Sequence, residues 1–449
     1  MARILITCFG SVGDLFPYIA LGKALQDRQH EVIVGGAQIF RQSVEAEGLP
    51  FCHIRCSLMD RLKSWDLVRE SMQQAFDPVK GGETFIRGMM QDIEATYQDT
   101  RQAAQDVDFV ISNMASYATP VVCKELNIPW LSTILAPMFF MSAYDPPILS
   151  AAPWLRSLNK LSPVLYRYLF KLIKKSTLAL SKPLYELCDA RQLPAPDGNP
   201  LFEGQYSPHG TLAMFPAGFA QAQPDWPVNT MVTGFPLFSG ENADPTTQFA
   251  DEHADRDNRF AGDHSPSETR TRLEKFLQAG EPPLVFALGT SAVHIGQDFF
   301  RTSAAIARKL KRRAVLVVGP LSEGSIEEND DLLVIRWVPY NKLFPHASVI
   351  IHQAGIGTLA QAICAQKPML IVPFGFDQFD NAERMVRLGV AASIKRKDYT
   401  VENASALIER LATEESYKRN AREVGEKIKN ERGIDNACNE IESILNSNV

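Results

Sequence analysis

The sequence predicts an α/β protein of two domains, each with a parallel β-sheet between helices. Short apolar runs of strand length alternate with helical segments up to about residue 135, and the same alternation returns after residue 280. Strands that alternate with helices are typical of parallel sheets. The length of 449 residues also fits two domains, because one domain ordinarily holds about 100–200 residues.

The individual strands are read from unbroken apolar runs. In the first half they are Arg3–Cys8, Glu31–Gly35, Phe109–Ser112 and Trp130–Ile134, with a helix from about Leu15 after the first. In the second half they are Leu284–Ala287, Ala314–Val318, Leu332–Ile335, Val349–His352 and Met369–Val372, with a helix over Asp298–Lys311. From Val401 onward a charged pattern with an apolar stripe predicts helices that close the structure.

The domain boundaries follow from a change in composition between the two halves. Residues 241–268 carry eight acidic residues against two basic ones and show no apolar periodicity, which predicts a linker or an exposed loop. We therefore predict an N-terminal domain over 1–238, a linker over 239–272 and a C-terminal domain over 273–449. The last helix is a candidate for packing back on the N-terminal domain.

The overall composition narrows the class of protein. The chain is 45% hydrophobic with a net charge of −6, which predicts a globular protein and argues against general nucleic-acid binding. Seven scattered cysteines without a CxxC pair predict reduced core thiols. The first apolar run reads as a strand better than as a signal peptide, and none reaches the roughly 18 residues of a membrane span. We expect a cytoplasmic protein.

One segment departs from the acidic balance. Residues 151–182 hold seven basic residues and no acidic one, interleaved with Trp154, Tyr166, Tyr168 and Phe170. A basic amphipathic segment with aromatics is typical of contact with an anionic membrane surface. The alternative is a solvated helical face whose aromatics pack into the core.

The most specific motif begins with a strand that places His352 at its carboxyl end, where open α/β sheets bind ligands. Gly355 and Gly357 allow backbone N–H groups to approach an anion closely, and Thr358 adds a hydroxyl at the start of the next helix. The helix dipole favours negative charge at that end. This pattern predicts a diphosphate cradle.

Residues on either side of the cradle complete a candidate nucleotide-sugar site. Trp337, followed by Val338, offers a flat apolar face to a nucleobase. Asp377 and Gln378, with Asn381 one turn later, supply a carboxylate and amides that can hydrogen-bond adjacent sugar hydroxyls.

These motifs resemble the glycosyltransferases of the GT-B fold, in the branch of the sterol, macrolide and glycopeptide-antibiotic enzymes. The donor pattern of that branch reads W-x-P-x-x-x-L-F-P, then H-H-G-G-A-G-T, P-x-x-x-x-P and D-Q. This chain has Gln353 for the second histidine and Ala354 for a glycine, and Tyr340 replaces a polar residue that some relatives use beside the base. It keeps Trp337, Pro339, Leu343, Phe344, Pro345, His352, Gly355, Gly357, Thr358, Pro368, Pro373, Asp377 and Gln378. The resemblance implies two Rossmann-like domains facing across a cleft, a UDP- or dTDP-sugar donor, and inversion at the anomeric carbon.

The amino-terminal loop from Gly10 to Asp14 resembles the G-[ST]-R-G-D-x-x-P signature of the same branch, with Val12 in place of arginine. A related branch uses a catalytic histidine in this loop, which is absent here, so Asp14 is the candidate general base. The alternative is that Asp14 only caps the first helix. The resemblance also places Gly13 near the donor, and the Thr290–Ser291 pair near its phosphates.

Other candidate groups are less specific. The D-x-D triplets Asp106–Asp108 and Asp255–Asp257 lie away from the donor motif, so we expect no metal and no other cofactor. His294 follows the Thr290–Ser291 loop, and we rank it below His352 because a solvated loop histidine is equally consistent with its position. The Gly10–Gly13 loop is an incomplete dinucleotide fingerprint, which argues against an oxidoreductase.

The sequence therefore predicts a glycosyltransferase that moves a sugar to a hydroxyl of an apolar small molecule or lipid. The alternatives are a nucleotide-sugar epimerase and an inactive nucleotide-sugar-binding protein on the same fold. Residues 55–240 contain no motif that identifies the acceptor.

Overall fold

The computed structural model describes residues 1–150, 152, 162–238, 240, 266–319 and 326–447. The chain forms two compact units. The first comprises Met1–Leu62, Gln74–Phe238 and Glu431–Val449, and the second comprises Lys63–Gln73 and Ser239–Asn430.

The first unit contains a sheet of seven described strands, all parallel, in the order β3-β2-β1-β4-β5-β6-β7. This is the doubly wound order of Rossmann-like folds. The strands are β1 (Arg3–Cys8), β2 (Glu31–Gly36), β3 (Phe51–His53), β4 (Phe109–Asn113), β5 (Trp130–Ile134), β6 (Thr211–Ala213) and β7 (Thr230–Val232).

Helices of the N-terminal half connect and cover these strands. The exception is the fourth helix, most of which belongs to the second unit. The helices are α1 (Val12–Asp27), α2 (Arg41–Ala46), α3 (Ser57–Asp60), α4 (Trp65–Ala75), α5 (Gly81–Met90), α6 (Ile93–Ala103), α7 (Thr119–Leu126), α8 (Pro163–Thr177) and α9 (Lys182–Arg191).

The second unit repeats the architecture with six described parallel strands in the order β10-β9-β8-β11-β12-β13. These are β8 (Leu284–Ala287), β9 (Ala314–Val317), β10 (Leu332–Ile335), β11 (Val349–His352), β12 (Met369–Ile371) and β13 (Ala391–Ser393). Val349, Ile350 and Ile351 pair with Leu284, Val285 and Phe286, so the carboxyl ends of β8 and β11 lie side by side.

The helices of the C-terminal half follow the same alternation. They are α10 (Pro266–Gln278), α11 (Gly289–Ala292), α12 (Gln297–Leu310), α13 (Tyr340–Leu343), α14 (Ile356–Cys364), α15 (Gln378–Arg387), α16 (Val401–Thr413), α17 (Glu415–Lys429) and α18 (Gly433–Ser447). The predicted pair of Rossmann-like domains with C-terminal helices is confirmed.

Two segments join a unit that their place in the chain does not suggest. The start of α4 belongs to the second unit, where the indole of Trp65 stacks on the imidazole of His294 with ring centroids 5.3 Å apart. Helix α18 belongs to the first unit and packs on α1. There Arg28 donates a 2.7 Å hydrogen bond to the Glu442 carboxylate, and Asn436 donates to the carbonyl of Thr233 at 2.9 Å.

The linker prediction over 239–272 is wrong at its carboxyl end. Residues 241–265 lie outside the described residues, but α10 begins at Pro266. Proline suits the first turn of a helix because its missing N–H has no intrahelical partner there, and Glu268 complements the helix dipole. Because this stretch is polar and has no apolar periodicity, the start of the helix could not be predicted from the sequence.

The basic segment is described only from residue 162 onward, so Trp154, Arg156 and Lys160 lie outside the described residues. Tyr166 and Phe170 of α8 are buried with Met141 and Ala143, and their aromatic rings therefore belong to the core. The basic residues are also not all unopposed, because Lys174 pairs with Glu203 and Lys182 with Glu186 at 2.9 Å.

Burial follows the predicted strands closely. The side chains of β4, β5, β8, β9 and β11 are buried throughout. All seven cysteines are free thiols, as expected. Among the described helices, none combines the length and the apolar character needed to cross a membrane.

Candidate functional site

Several of the predicted site residues lie where the strand order of each sheet reverses. In the first sheet β1 lies between β2 and β4, and in the second β8 lies between β9 and β11. Connections on the two sides of such a strand leave toward opposite faces, which opens a crevice at the carboxyl ends. Asp14 follows β1, while the Thr290 loop and His352 lie at the ends of β8 and β11.

His352 is fully buried at the last position of β11. The backbone N–H of Ala354 donates a 3.1 Å hydrogen bond to its Nδ1. Burial lowers the pKa of the imidazole to about 3, so the ring is neutral at physiological pH and its single proton is assigned to Nε2. Within the described residues Nε2 has no hydrogen-bond partner. His352 therefore offers a neutral N–H donor that the protein leaves unused.

The loop after His352 leads directly into α14. Gly355 is the residue that precedes the helix, and Gly357 and Thr358 lie in its first turn. The first N–H groups of a helix have no intrahelical acceptor and attract anions. Ala354 has a φ of +67°, a conformation that glycine adopts without strain. The donor pattern has glycine at this position, and the positive φ explains why.

The loops after β8 and β11 touch each other. The Gln353 amide donates to the Thr358 hydroxyl at 3.5 Å, and Gly289 lies against both with a φ of +61°. A Cβ on Gly289 would lie 2.8 Å from Thr358 Oγ1, and closer still to Gln353 Nε2. A side chain here would have to displace both groups and hold a backbone conformation that favours glycine. The Gly289 N–H also donates to the hydroxyl of Tyr340 at 3.3 Å.

Thr290 and Ser291 lie in the short helix α11, a few residues before His294. Of the two alternatives left open for His294, the solvated loop histidine is wrong. Its side chain is only 6% exposed, and burial lowers the pKa of the imidazole to about 4. The ring is covered by Trp65, which lies far earlier in the chain, so sequence proximity gave no signal for this contact.

Asp377, Gln378 and Asn381 start α15, and part of their hydrogen-bonding capacity is already used. Gln378 Oε1 accepts from the N–H groups of Phe374 at 2.8 Å and Gly375 at 3.2 Å. Asn381 Nδ2 donates to Asp377 Oδ2 at 2.7 Å and to the carbonyl of Ala354 at 2.9 Å. Gln378 can therefore offer a ligand only its amide N–H groups, and Asn381 ties Asp377 to the loop after His352.

Trp337 lies two residues beyond β10 and is partly buried, followed by the buried Val338. Tyr340 stacks on Phe344 with centroids 4.4 Å apart, and burial raises the pKa of its hydroxyl to about 12. Tyr340 thus joins the motif after β10 to Gly289.

Buried polar atoms without a partner accumulate around these loops. Within the described residues they include Nδ1 of His294, Oδ1 of Asn341, Nε2 of His352, Oε1 of Gln353 and Oδ1 of Asn381. An unpaired buried polar atom carries a desolvation cost and therefore marks the position of a ligand or water. Sequence reasoning missed Gln353 and Asn341 as polar groups of this site, although both stand inside the motif.

Asp14 is the fourth residue of a capping box whose N-cap residue is Ser11. Its Oδ2 accepts from the Ser11 N–H at 2.7 Å and from the Ser11 hydroxyl at 2.8 Å. Burial raises the pKa of the carboxyl, while the Ser11 hydrogen bonds act in the opposite direction. Oδ1 has no hydrogen bond within the described residues, so one carboxylate oxygen stays available.

The first D-x-D triplet binds Arg3, the first residue of β1. Asp108 Oδ2 accepts from the Arg3 N–H at 2.7 Å, and Asp106 pairs with the Arg3 guanidinium at 3.9 Å. The second triplet, Asp255–Asp257, lies outside the described residues. Within the described part of the chain no group of three or more His, Cys, Asp or Glu side chains is arranged to hold a metal.

Models of two known families match the two halves of the chain. The N-terminal domain of glycosyltransferase family 28 matches residues 4–144. The UDP-glucoronosyl and UDP-glucosyl transferase family matches residues 260–442. The two matches include the Asp14 loop and every predicted residue of the second unit.

Individual proteins are similar over nearly the whole chain. The O-mycaminosyltylonolide 6-deoxyallosyltransferase of Streptomyces fradiae is 28% identical over 451 residues, which cover 97% of this chain and 96% of that protein. A sterol 3-beta-glucosyltransferase of Vanderwaltozyma polyspora is 24% identical over 461 residues, 97% of this chain but only 34% of that longer protein. The crystal structure of the glycosyltransferase VinC, in complex with dTDP, has the same fold with a TM-score of 0.65 at 18% identity, over 99% of this chain and 100% of VinC.

Proposed function

We propose, from the premise that this chain belongs to the glycosyltransferases of the GT-B fold, that it transfers a sugar from a nucleoside-diphosphate sugar to a hydroxyl of an apolar acceptor. One observation carries the donor part of this proposal. A neutral, buried histidine offers an unused Nε2–H beside the open N-terminus of α14. Such uncharged, preorganised donors suit a diphosphate.

The donor would lie along the carboxyl edge of the second sheet. Trp337 and Val338 would contact the base, for which UDP and dTDP are the candidates. His352, Gly355, Gly357 and Thr358, with Gly13, Thr290 and Ser291, would hold the diphosphate. Asp377 and the Gln378 amide would bind sugar hydroxyls, with Asn381 orienting Asp377. We expect no metal, because backbone and side-chain N–H groups would meet the charge of the phosphates.

Asp14 would act as the general base. Its raised pKa makes the carboxylate a stronger base than an exposed aspartate, and the Ser11 hydrogen bonds hold it in place. Asp14 would take the proton of the acceptor hydroxyl while the oxygen attacks the anomeric carbon. The bond from that carbon to the diphosphate would break on the opposite face, so the nucleoside diphosphate leaves with the electron pair and the configuration inverts.

The acceptor is proposed to be a small natural product or a lipid, since the similar proteins include a macrolide-type transferase and a sterol transferase by name. A peripheral contact with an anionic membrane through residues 151–182 is part of this proposal. On α8, Val164 is 54%, Tyr168 66% and Leu172 64% exposed, beside the exposed Lys175. An apolar stripe next to a cation is typical of membrane-surface helices.

The test is product analysis by mass spectrometry after incubation with UDP- and dTDP-sugars and a lipid extract. Asp14→Asn should retain nucleoside-diphosphate affinity in calorimetry and lose about 10²–10⁴-fold in turnover, the usual contribution of a general base. Full turnover in this variant would remove Asp14 from the mechanism. If neither UDP nor dTDP binds the native protein, the donor proposal is refuted.

A further inference from the structure

The first unit contains a cavity of about 370 Å³ that none of the motifs explains. It lies between α8 and the chain that follows β5. Its walls combine Phe140, Met141 and Phe170 with charged side chains from α8 and from two loops. This volume is in the range of small-molecule sites.

Some charged side chains of the cavity have hydrogen-bond or ion-pair partners, and others do not. Both oxygens of Asp225 are occupied, because Oδ1 accepts from the Ser142 hydroxyl at 2.6 Å and Oδ2 from the Ala143 N–H at 2.7 Å. Lys174 pairs with Glu203, and Arg167 donates to the Tyr144 hydroxyl at 2.5 Å. Lys171 has neither a hydrogen bond nor an ion pair within the described residues. The lining therefore leaves an excess of positive charge.

The remaining wall of the cavity is apolar, and its side chains are buried. Met141 and Phe170 belong to a buried cluster with Tyr166, and Phe140 stacks on Trp226 with centroids 4.0 Å apart. A pocket with an aromatic wall and a cationic rim selects molecules that carry both an apolar body and an acidic group.

The cavity is built partly from loops at the catalytic edge of the sheet. Met141 follows β5, and Asp225 lies between β6 and β7. Only β4 separates β5 from β1, the strand that leads to Asp14, so the two strands are about 10 Å apart. A molecule seated here and extending along this edge would approach Asp14.

We infer that this cavity binds the carboxylate or phosphate group of an amphipathic acceptor, with Lys171 as its principal cation. The inference rests on the proposed function and names the class of its acceptor. It differs from the membrane contact, because it requires a concave site for one molecule and depends on Lys171, which lines the cavity, more than on Lys175, which does not.

Calorimetry with decyl phosphate, decanoate and decanol, all as monomers in solution, tests this. The two anions should bind the native protein about tenfold or more tightly than decanol, the usual gain from a charged hydrogen bond. Lys171→Ala should abolish that preference and leave decanol binding unchanged. Lys175→Ala, one turn further along the same exposed side of α8, is the matched control and should keep the preference. The fluorescence change of the native protein, compared with that of a Trp226→Phe variant, provides a second measurement of occupancy.

Equal affinity for decanol and the anions would overturn the inference, as would equal losses in the two lysine variants. Binding to phosphatidylglycerol vesicles without binding of monomeric decyl phosphate would assign these cations to a membrane surface and also overturn it. Calorimetry of UDP and dTDP on the same protein reads the proposed function separately. If UDP or dTDP binds but the cavity shows no preference for the anions, only the inference about the acceptor class is refuted.

Discussion

The two nitrogens of His352 have separable tasks, and two substitutions can divide them. In His352→Asn the amide oxygen reaches the position of Nδ1 and can still accept from the Ala354 N–H. In His352→Gln the amide nitrogen reaches the position of Nε2 and can still donate to a ligand. The native ring does both, with its Nδ1 bond of 3.1 Å and its unpaired Nε2.

The size of each effect follows from what is left unpaired. His352→Gln strands the Ala354 N–H in a fully buried position, which should lower the free energy of unfolding by about 1–3 kcal/mol. His352→Asn keeps that bond and should lose less than about 1 kcal/mol of stability. It removes a hydrogen bond to a charged phosphate, worth about 1.5–3 kcal/mol, so the Kd for UDP or dTDP should rise about 10- to 150-fold.

Calorimetry of nucleoside-diphosphate binding and urea unfolding without nucleotide measure the two effects independently. The expected pattern is crossed, with Asn weak in binding and Gln weak in stability. Native affinity in His352→Asn would show that Nε2 does not meet the diphosphate. Parallel losses in both variants would show that His352 only packs the loop.

Three further predictions concern the second unit. The pKa values of His294 and His352 are about 4 and about 3, below the ordinary value of about 6.5. As the pH falls, these histidines therefore take up protons in the unfolded chain before they do so in the folded protein. The free energy of unfolding should decrease by about 3–4 kcal/mol from pH 7 to pH 5. In urea titrations His294→Phe should remove about half of this slope, and an unchanged slope in this variant would refute the assignment. Gly289→Ala should cost about 2–4 kcal/mol by clash and strain. Gly48→Ala, with a φ of +80° but nothing within 4 Å, should cost only about 1–2 kcal/mol, and similar losses at both sites would refute the clash. Asp377→Ala should weaken the intact sugar donor by about 1–3 kcal/mol in calorimetry and leave UDP or dTDP nearly unaffected; equal losses would place Asp377 at the phosphates.

Short outer strands escaped sequence reasoning. The three-residue strands β3, β7 and β13 lie at sheet edges, and β6 pairs beside one of them. Such segments bury too little side-chain surface to impose an unbroken apolar run. Their strand character depends on the neighbour that supplies their hydrogen bonds.

The sequence by itself determined the inner strands and the motif positions, since a strand buried on both faces is apolar at most of its residues. Runs such as Arg3–Cys8 and Val349–His352 therefore state their own bounds, and His352 follows as a polar residue at the end of one. Only the tertiary structure decided which polar groups are buried and which already have hydrogen-bond partners. Trp65 buries His294, and Phe374 and Gly375 occupy the Gln378 oxygen. Burial and pairing depend on residues that are distant in the chain or on the path of a loop, and neither is encoded in local periodicity.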